Sequence, residues 1–132
     1  MAFLAVLVIG PWVPAIVRNA IPWFMDTVTQ FYPWRRLTGV LWSNGIAPYW
    51  NPSAFGGVPL LSNPQVGVLY PGHWFGFLAP SGGVFTLTAA LHVLLGAAGV
   101  YGLSRWLGLN RIGAFAAALA TGWNGWTWAP YA

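Results

Sequence analysis

An all-α integral membrane architecture is what this chain of 132 residues predicts, with about three transmembrane helices and one long Pro/Gly/Trp-rich extracytoplasmic loop. Three observations predict it. Hydrophobic residues make up 58% of the chain and charged residues only 5%, against about 25% charged in soluble domains. Asp26 is the sole acid and all five cations are arginines, too few charges to coat a water-facing surface. Two uncharged runs, residues 1–17 and 84–104, have the composition of bilayer-crossing helices. The net charge of +4 comes from scattered arginines rather than a basic stripe, which excludes nucleic acid as a partner. With no cysteine, disulfides and Cys-ligated metal sites are excluded too.

The first transmembrane helix is expected over residues 1–21. The charge-free run MAFLAVLVIGPWVPAIV covers about 26 Å at 1.5 Å per residue, short of a hydrocarbon core of about 30 Å. Snorkelling by Arg18, or continuation through Asn19 to Trp23, would complete the crossing. No positive charge precedes Arg18, so an uncleaved helix is preferred to a signal peptide. Pro11 and Pro14 are expected to kink it.

The loop, residues 22–83, holds eight of the eleven prolines. Phe31, Trp34, Leu37 and Leu41 recur at helical spacing, with Pro33 near a start and Asn44-Gly45 at a stop. That pattern predicts a short interfacial helix over 33–43. From Pro48 to Pro80, proline and glycine density predicts no long regular element, and Gly56-Gly57 reads as a tight turn. Residues 84–132 are expected to form a transmembrane hairpin: Val84 to Ser104, a turn over Trp106 to Asn110, then Ile112 to about Trp128. Gly96, Gly99 and Gly102 predict one close-packing face, and Ala114, Ala118 and Gly122 another. Trp123, Trp126, Trp128 and Tyr131 suit a membrane–water interface. Arg105 and Arg111 flank the short turn and place it in the cytoplasm, which puts the N-terminus inside and the long loop outside.

Several motifs in order carry a resemblance: Asp26-Thr27-Val28-Thr29-Gln30-Phe31-Tyr32-Pro33-Trp34-Arg35, Gly45-Ile46-Ala47-Pro48-Tyr49-Trp50-Asn51-Pro52, Phe55-Gly56-Gly57-Val58-Pro59, Asn63-Pro64-Gln65, Tyr70-Pro71 and Leu91-His92. Together they resemble the N-terminal portion of YfhO-like bacterial membrane proteins, a group with the GT-C-type glycosyltransferase fold. The resemblance implies a multi-pass protein of the bacterial inner membrane and a lipid-carrier-dependent sugar transfer. The implied partners are membrane lipid, a polyprenyl-phosphate sugar and further transmembrane helices. Such proteins have ten or more membrane helices, so these 132 residues are not expected to catalyse alone. The alternative is a small non-catalytic structural subunit packed into a larger membrane complex, in contact with lipid or pigment.

Candidate site residues follow. By resemblance Asp26 is the catalytic carboxylate, acting on an acceptor or on a divalent metal; a pairing with Arg35 or Arg36, or a helix-capping role, is the competing reading. Arg35 and Arg36 are candidate phosphate ligands because guanidinium pairs with phosphate bidentately. Asn51, Asn63 and Gln65 are candidate sugar contacts, with satisfaction of nearby loop backbone as the preferred alternative. His92, polar within a membrane helix, is a candidate cofactor ligand for haem or pigment, or a hydrogen-bonding partner of a neighbouring helix. His73 lies far from it in sequence, so a shared metal site is weakly supported.

Overall fold

A computed structural model describes residues 1–22 and 25–124, and among them the chain is predominantly helical. The first helical unit is α1 (Ala2–Ile9), a 3-10 turn (Gly10–Trp12) and α2 (Val13–Val17). The break falls where Pro11 removes a backbone donor, so the expected kink appears as a tightened turn. The unit stops at Val17, short of the expected residue 21, because Asn19 adopts a left-handed conformation (φ 57°) that turns the chain.

Helix α5 (Gly82–Trp106) is the one helix among the described residues that is long and apolar enough to cross a membrane. Ser81 caps it, its hydroxyl accepting from the Val84 amide. After the turn at Leu107–Gly108, Asn110 caps α6 (Arg111–Gly122) by accepting from the Gly113 amide. Helix α6 runs back along α5. It measures about 18 Å and the first unit about 24 Å, both shorter than a hydrocarbon core. The expected continuation of α6 through Trp126, Trp128 and Tyr131 lies outside the described residues.

These helices pack through small residues. Leu4 and Val8 of α1 meet Ala97 of α5 and Ala118 of α6 in one buried cluster. Ala114, Ala118 and Gly122 are buried as the four-residue spacing predicts, and a side chain at Gly122 would press on Val8. The face expected at Gly96, Gly99 and Gly102 is different: a side chain at any of them would meet nothing within 4 Å. Ala90 and Ala97, not those glycines, form the buried face of α5. At the head of α5, Gly82 and Gly83 lie against the Asn19 and Ile16 carbonyls. The Asn19 side chain accepts from the Gly83 amide at 2.7 Å, and the Thr86 hydroxyl donates to the Ala20 carbonyl at 2.7 Å.

The connecting segment is a folded layer beside the first turns of α5. A π-turn (Thr27–Phe31) leads into α3 (Tyr32–Ser43), which covers the stretch expected to be helical. Strands β1 (Trp50–Asn51) and β2 (Val58–Pro59) form a small antiparallel hairpin with Trp50 opposite Pro59. Leu60, Val66 and Val68 are buried against Trp34, Leu37 and Leu41 of α3. Helix α4 (Pro71–Leu78) then climbs to the start of α5. It corrects the expectation of an irregular chain up to Pro80: Pro71 sits at the first helical position, where its missing amide is harmless.

Candidate functional site: a basic crevice at the head of α5

Helices α3, α4 and the start of α5 enclose a narrow crevice lined by Tyr32, Arg35, Arg36, His73, Ser81, Phe85 and Thr88. Two glycines allow the approach. A side chain at Gly39 would lie 2.6 Å from the Phe77 carbonyl oxygen, so only glycine lets α3 lie on α4. A side chain at Gly72 would press on the Tyr70 ring and lie 2.8 Å from His92 Nε2, so glycine lets α4 start against α5 with both rings in place.

Arg35 is the central cation. Its guanidinium sits 5.0 Å from the centre of the Phe85 ring, within cation–π range. Its Nε is buried without a hydrogen-bond partner, and burial lowers its pKa to about 10. Arg36 is exposed. Tyr32 meets Phe85 edge-on at 5.6 Å and closes one side. His73 Nδ1 is likewise buried, facing the Gly67 and Val66 backbone without a well-formed hydrogen bond. Burial first, and then the Arg35 charge, hold the His73 pKa down to about 4; a smaller contribution from His92 adds to this, and the nearby Gly67 and Val66 backbone opposes it. The ring is therefore neutral at pH 7.

His92 and His73, remote in sequence, are brought to 6.3 Å between ring centres. His92 Nδ1 lies 2.7 Å from the Thr88 carbonyl, which can only accept, so Nδ1 carries the proton. Nε2 is then the acceptor, and the Tyr70 hydroxyl donates to it at 2.8 Å. Both nitrogens are engaged, so a haem or pigment metal would have to displace Tyr70. Of the two readings of His92, the geometry fits the hydrogen-bonding one.

Asp26 is exposed and makes no side-chain cap, and no ion pair occurs among the described residues. Nine residues of continuous helical chain separate it from Arg35, about 13 Å along the axis. That distance rules out the pairing with Arg35. A divalent ion does not fit the donor set: Asp26 is the only acid, and no cluster of three His, Cys, Asp or Glu occurs among the described residues. Asn51 is buried and accepts from the Ser53 amide at 2.9 Å, and Asn63 accepts from the Gln65 amide at 3.0 Å. Those amides shape turns, and the Gln65 side chain is exposed beside one.

The structure thus joins Arg35 and Arg36 to Tyr32, His73 and Phe85, and leaves Asp26, Asn51 and Gln65 outside the crevice. His73 and Phe85 were missed as members of this site. The signal that could have found His73 is the Tyr70–Pro71–Gly72–His73 start of a helix four residues ahead of Phe77. Two guanidinium groups and a neutral imidazole border the crevice, but its accessible wall is almost wholly apolar, so an oxyanion could meet the arginines only at its mouth. No protein-family model, curated protein or solved structure matches this chain.

Proposed function

We propose that this chain is the membrane-embedded front portion of a lipid-carrier-dependent protein of the YfhO-like, GT-C type, and that the Arg35–Arg36 crevice receives the phosphate of its lipid carrier. One observation carries the reading: a half-buried arginine with an unpartnered Nε sits against the first turn of α5, the one helix among the described residues long and apolar enough to span a membrane. That is headgroup depth, where a lipid phosphate resides. The free volume inside is only about 10 Å³, room for about one water, so the phosphate seats at the mouth beside exposed Arg36. In this reading the chain crosses the bacterial inner membrane with α1–α2, α5 and α6, its N-terminus cytoplasmic and residues 22–83 extracytoplasmic. Asp26 is the acceptor-side base, and further helices from the rest of the assembly complete the site.

The test is native mass spectrometry of the chain in nanodiscs containing a polyprenyl phosphate. Retention of the lipid phosphate by the wild type, and at least a tenfold loss in the Arg35→Gln/Arg36→Gln variant, is the expected outcome. Equal retention by both removes the crevice from lipid binding.

A second reading, a non-catalytic structural subunit, is favoured by the open Gly96, Gly99 and Gly102 positions of α5. In that case Gly99→Leu disrupts a co-purifying assembly while leaving the chain itself folded.

A further inference from the structure

The exposed residues of α4 and of the turn before it lie beside α5 at a depth that the helix itself measures. Thirteen residues of unbroken helix separate His92 from Arg105, about 20 Å at 1.5 Å per residue. Arg105 and exposed Trp106 end α5 and mark one membrane surface. With a hydrocarbon core of about 30 Å, His92 lies about 10 Å below the opposite surface, and a tilt of about 20° changes this little. Two contacts fix the connecting segment at that level. The Tyr70 hydroxyl donates to His92 Nε2 at 2.8 Å, and Gly72 is so close that a side chain there would strike the same ring. The climb back is consistent. Helix α4 rises about 12 Å from Pro71 to Leu78, against about 15 Å between His92 and Gly82 on α5.

We infer that Leu69 to Leu78 forms a re-entrant element, dipping about 10 Å into the bilayer beside α5, turning Leu69 and Phe75 toward lipid acyl chains and returning to the surface at Leu78. Leu69 and Phe75 are 76% and 74% exposed and covered by nothing among the described residues. At this depth acyl chains are the medium that surrounds them. Non-helical backbone in hydrocarbon must find partners within the protein, and part of this turn's backbone does. The Tyr70 amide donates to the Gly67 carbonyl, the His73 amide to the Tyr70 carbonyl, and Trp74 Nε1 to the Val68 carbonyl at 3.1 Å. The inference rests on α5 spanning the bilayer, and does not depend on the crevice binding phosphate.

Because the chain has no cysteine, single cysteines report each position in full-length protein in nanodiscs, where both faces are open to reagent. The variants are Leu69→Cys, Phe75→Cys, Leu95→Cys as a mid-span reference (Leu95 is 68% exposed on α5) and Leu107→Cys in the exposed turn. A membrane-impermeant maleimide should modify position 107 at least tenfold faster than 69, 75 and 95. Nitroxides at 69 and 75 should then relax strongly with oxygen and weakly with a water-soluble nickel complex. Maleimide rates at 69 and 75 equal to that at 107, with 95 protected, overturn the re-entrant element and leave the span standing. Position 95 reacting as fast as 107 overturns the span itself. Protection of 69 and 75 from oxygen as well as nickel also overturns the proposal, since protein rather than lipid then covers the face.

Discussion

The helical layer of α1–α2, α5 and α6 and the aromatic layer of α3, the hairpin and α4 share one chain but pack by different rules. On α5 and α6 of the first, contact residues are small: Ala90, Ala97, Ala114, Ala118 and Gly122 are buried, with Leu4 and Val8 of α1 packed onto them, while larger neighbours such as Leu95 and Leu103 face outward. Helices surrounded by lipid gain little from hydrophobic burial against each other, so association depends on close backbone approach. The second layer is pinned by rings and hydrogen bonds: Trp42 on Phe77, Tyr70 on His92, Trp74 on the Val68 carbonyl. Proline-rich chain lacks a continuous backbone ladder, and side chains take over the donors and acceptors that regular structure would satisfy. Within each layer and between them, glycines seat one backbone against another, and there substitutions should cost most.

Gly82→Ala should be the most damaging single change, because the added carbon meets the Asn19 carbonyl oxygen, which belongs to backbone on both sides of the clash. A loss of about 3 kcal/mol, read as a lowered thermal midpoint in detergent, is expected. Gly39→Ala, 2.6 Å from the Phe77 carbonyl oxygen, should cost about 2 kcal/mol by prising α3 from α4. Gly96→Ala is the control: it meets nothing, and its effect should stay within about 0.5 kcal/mol. Equal effects at 82 and 96 would end the distinction between glycines that seat backbone and glycines that face outward.

Sequence alone reaches some of this contrast and not the rest. Helix α5 is legible because its uncharged run is long, and the α6 face is legible because Ala114, Ala118 and Gly122 repeat every four residues. The glycines of α5 mislead for the same reason: Gly96, Gly99 and Gly102 satisfy a packing pattern, but spacing does not say which face a neighbour occupies. Helix α4 is obscured by its own composition. Gly72 and Gly76 read as breakers, whereas Gly72 is required by contact with His92. Arg35 and Arg36 can be picked out by charge, but joining them to His73 and Phe85 needs α3 to lie across α4 and α5. That crossing depends on Gly39, far from either partner in sequence.

Tyr70→Phe sharpens the contrast from the aromatic side. It removes the donor to His92 Nε2 while keeping the ring, and should cost about 1 kcal/mol, with the His92 ring carbons shifting in NMR. The chain has only two histidines, so their signals are separable by substituting either one. The same spectra should show His73 neutral down to about pH 4. An unfolded histidine takes up its proton near 6.5, so between 6.5 and about 4 the unfolded chain binds more protons than the folded one. Stability from this group is therefore complete above pH 6.5 and falls as pH drops toward 4. A His73 midpoint near 6.5 in the folded chain would mean the ring faces water and not the Arg35 crevice.

The smallest structural effect is expected at Asp26, and that smallness makes its functional test clean. The carboxylate is exposed, caps no helix and is too far along the helix to pair with Arg35. Asp26→Asn should therefore leave the thermal midpoint within the range of a surface change of about 0.5 kcal/mol. Under the proposed reading, loss of sugar transfer by an assembly carrying this variant reports lost chemistry, since an amide cannot accept the acceptor's proton. Arg35→Gln in the same assay should act differently, raising the concentration of lipid phosphate needed while leaving the acceptor dependence unchanged. Transfer at the wild-type rate by Asp26→Asn would remove the carboxylate from the reaction and leave the crevice as a binding site only.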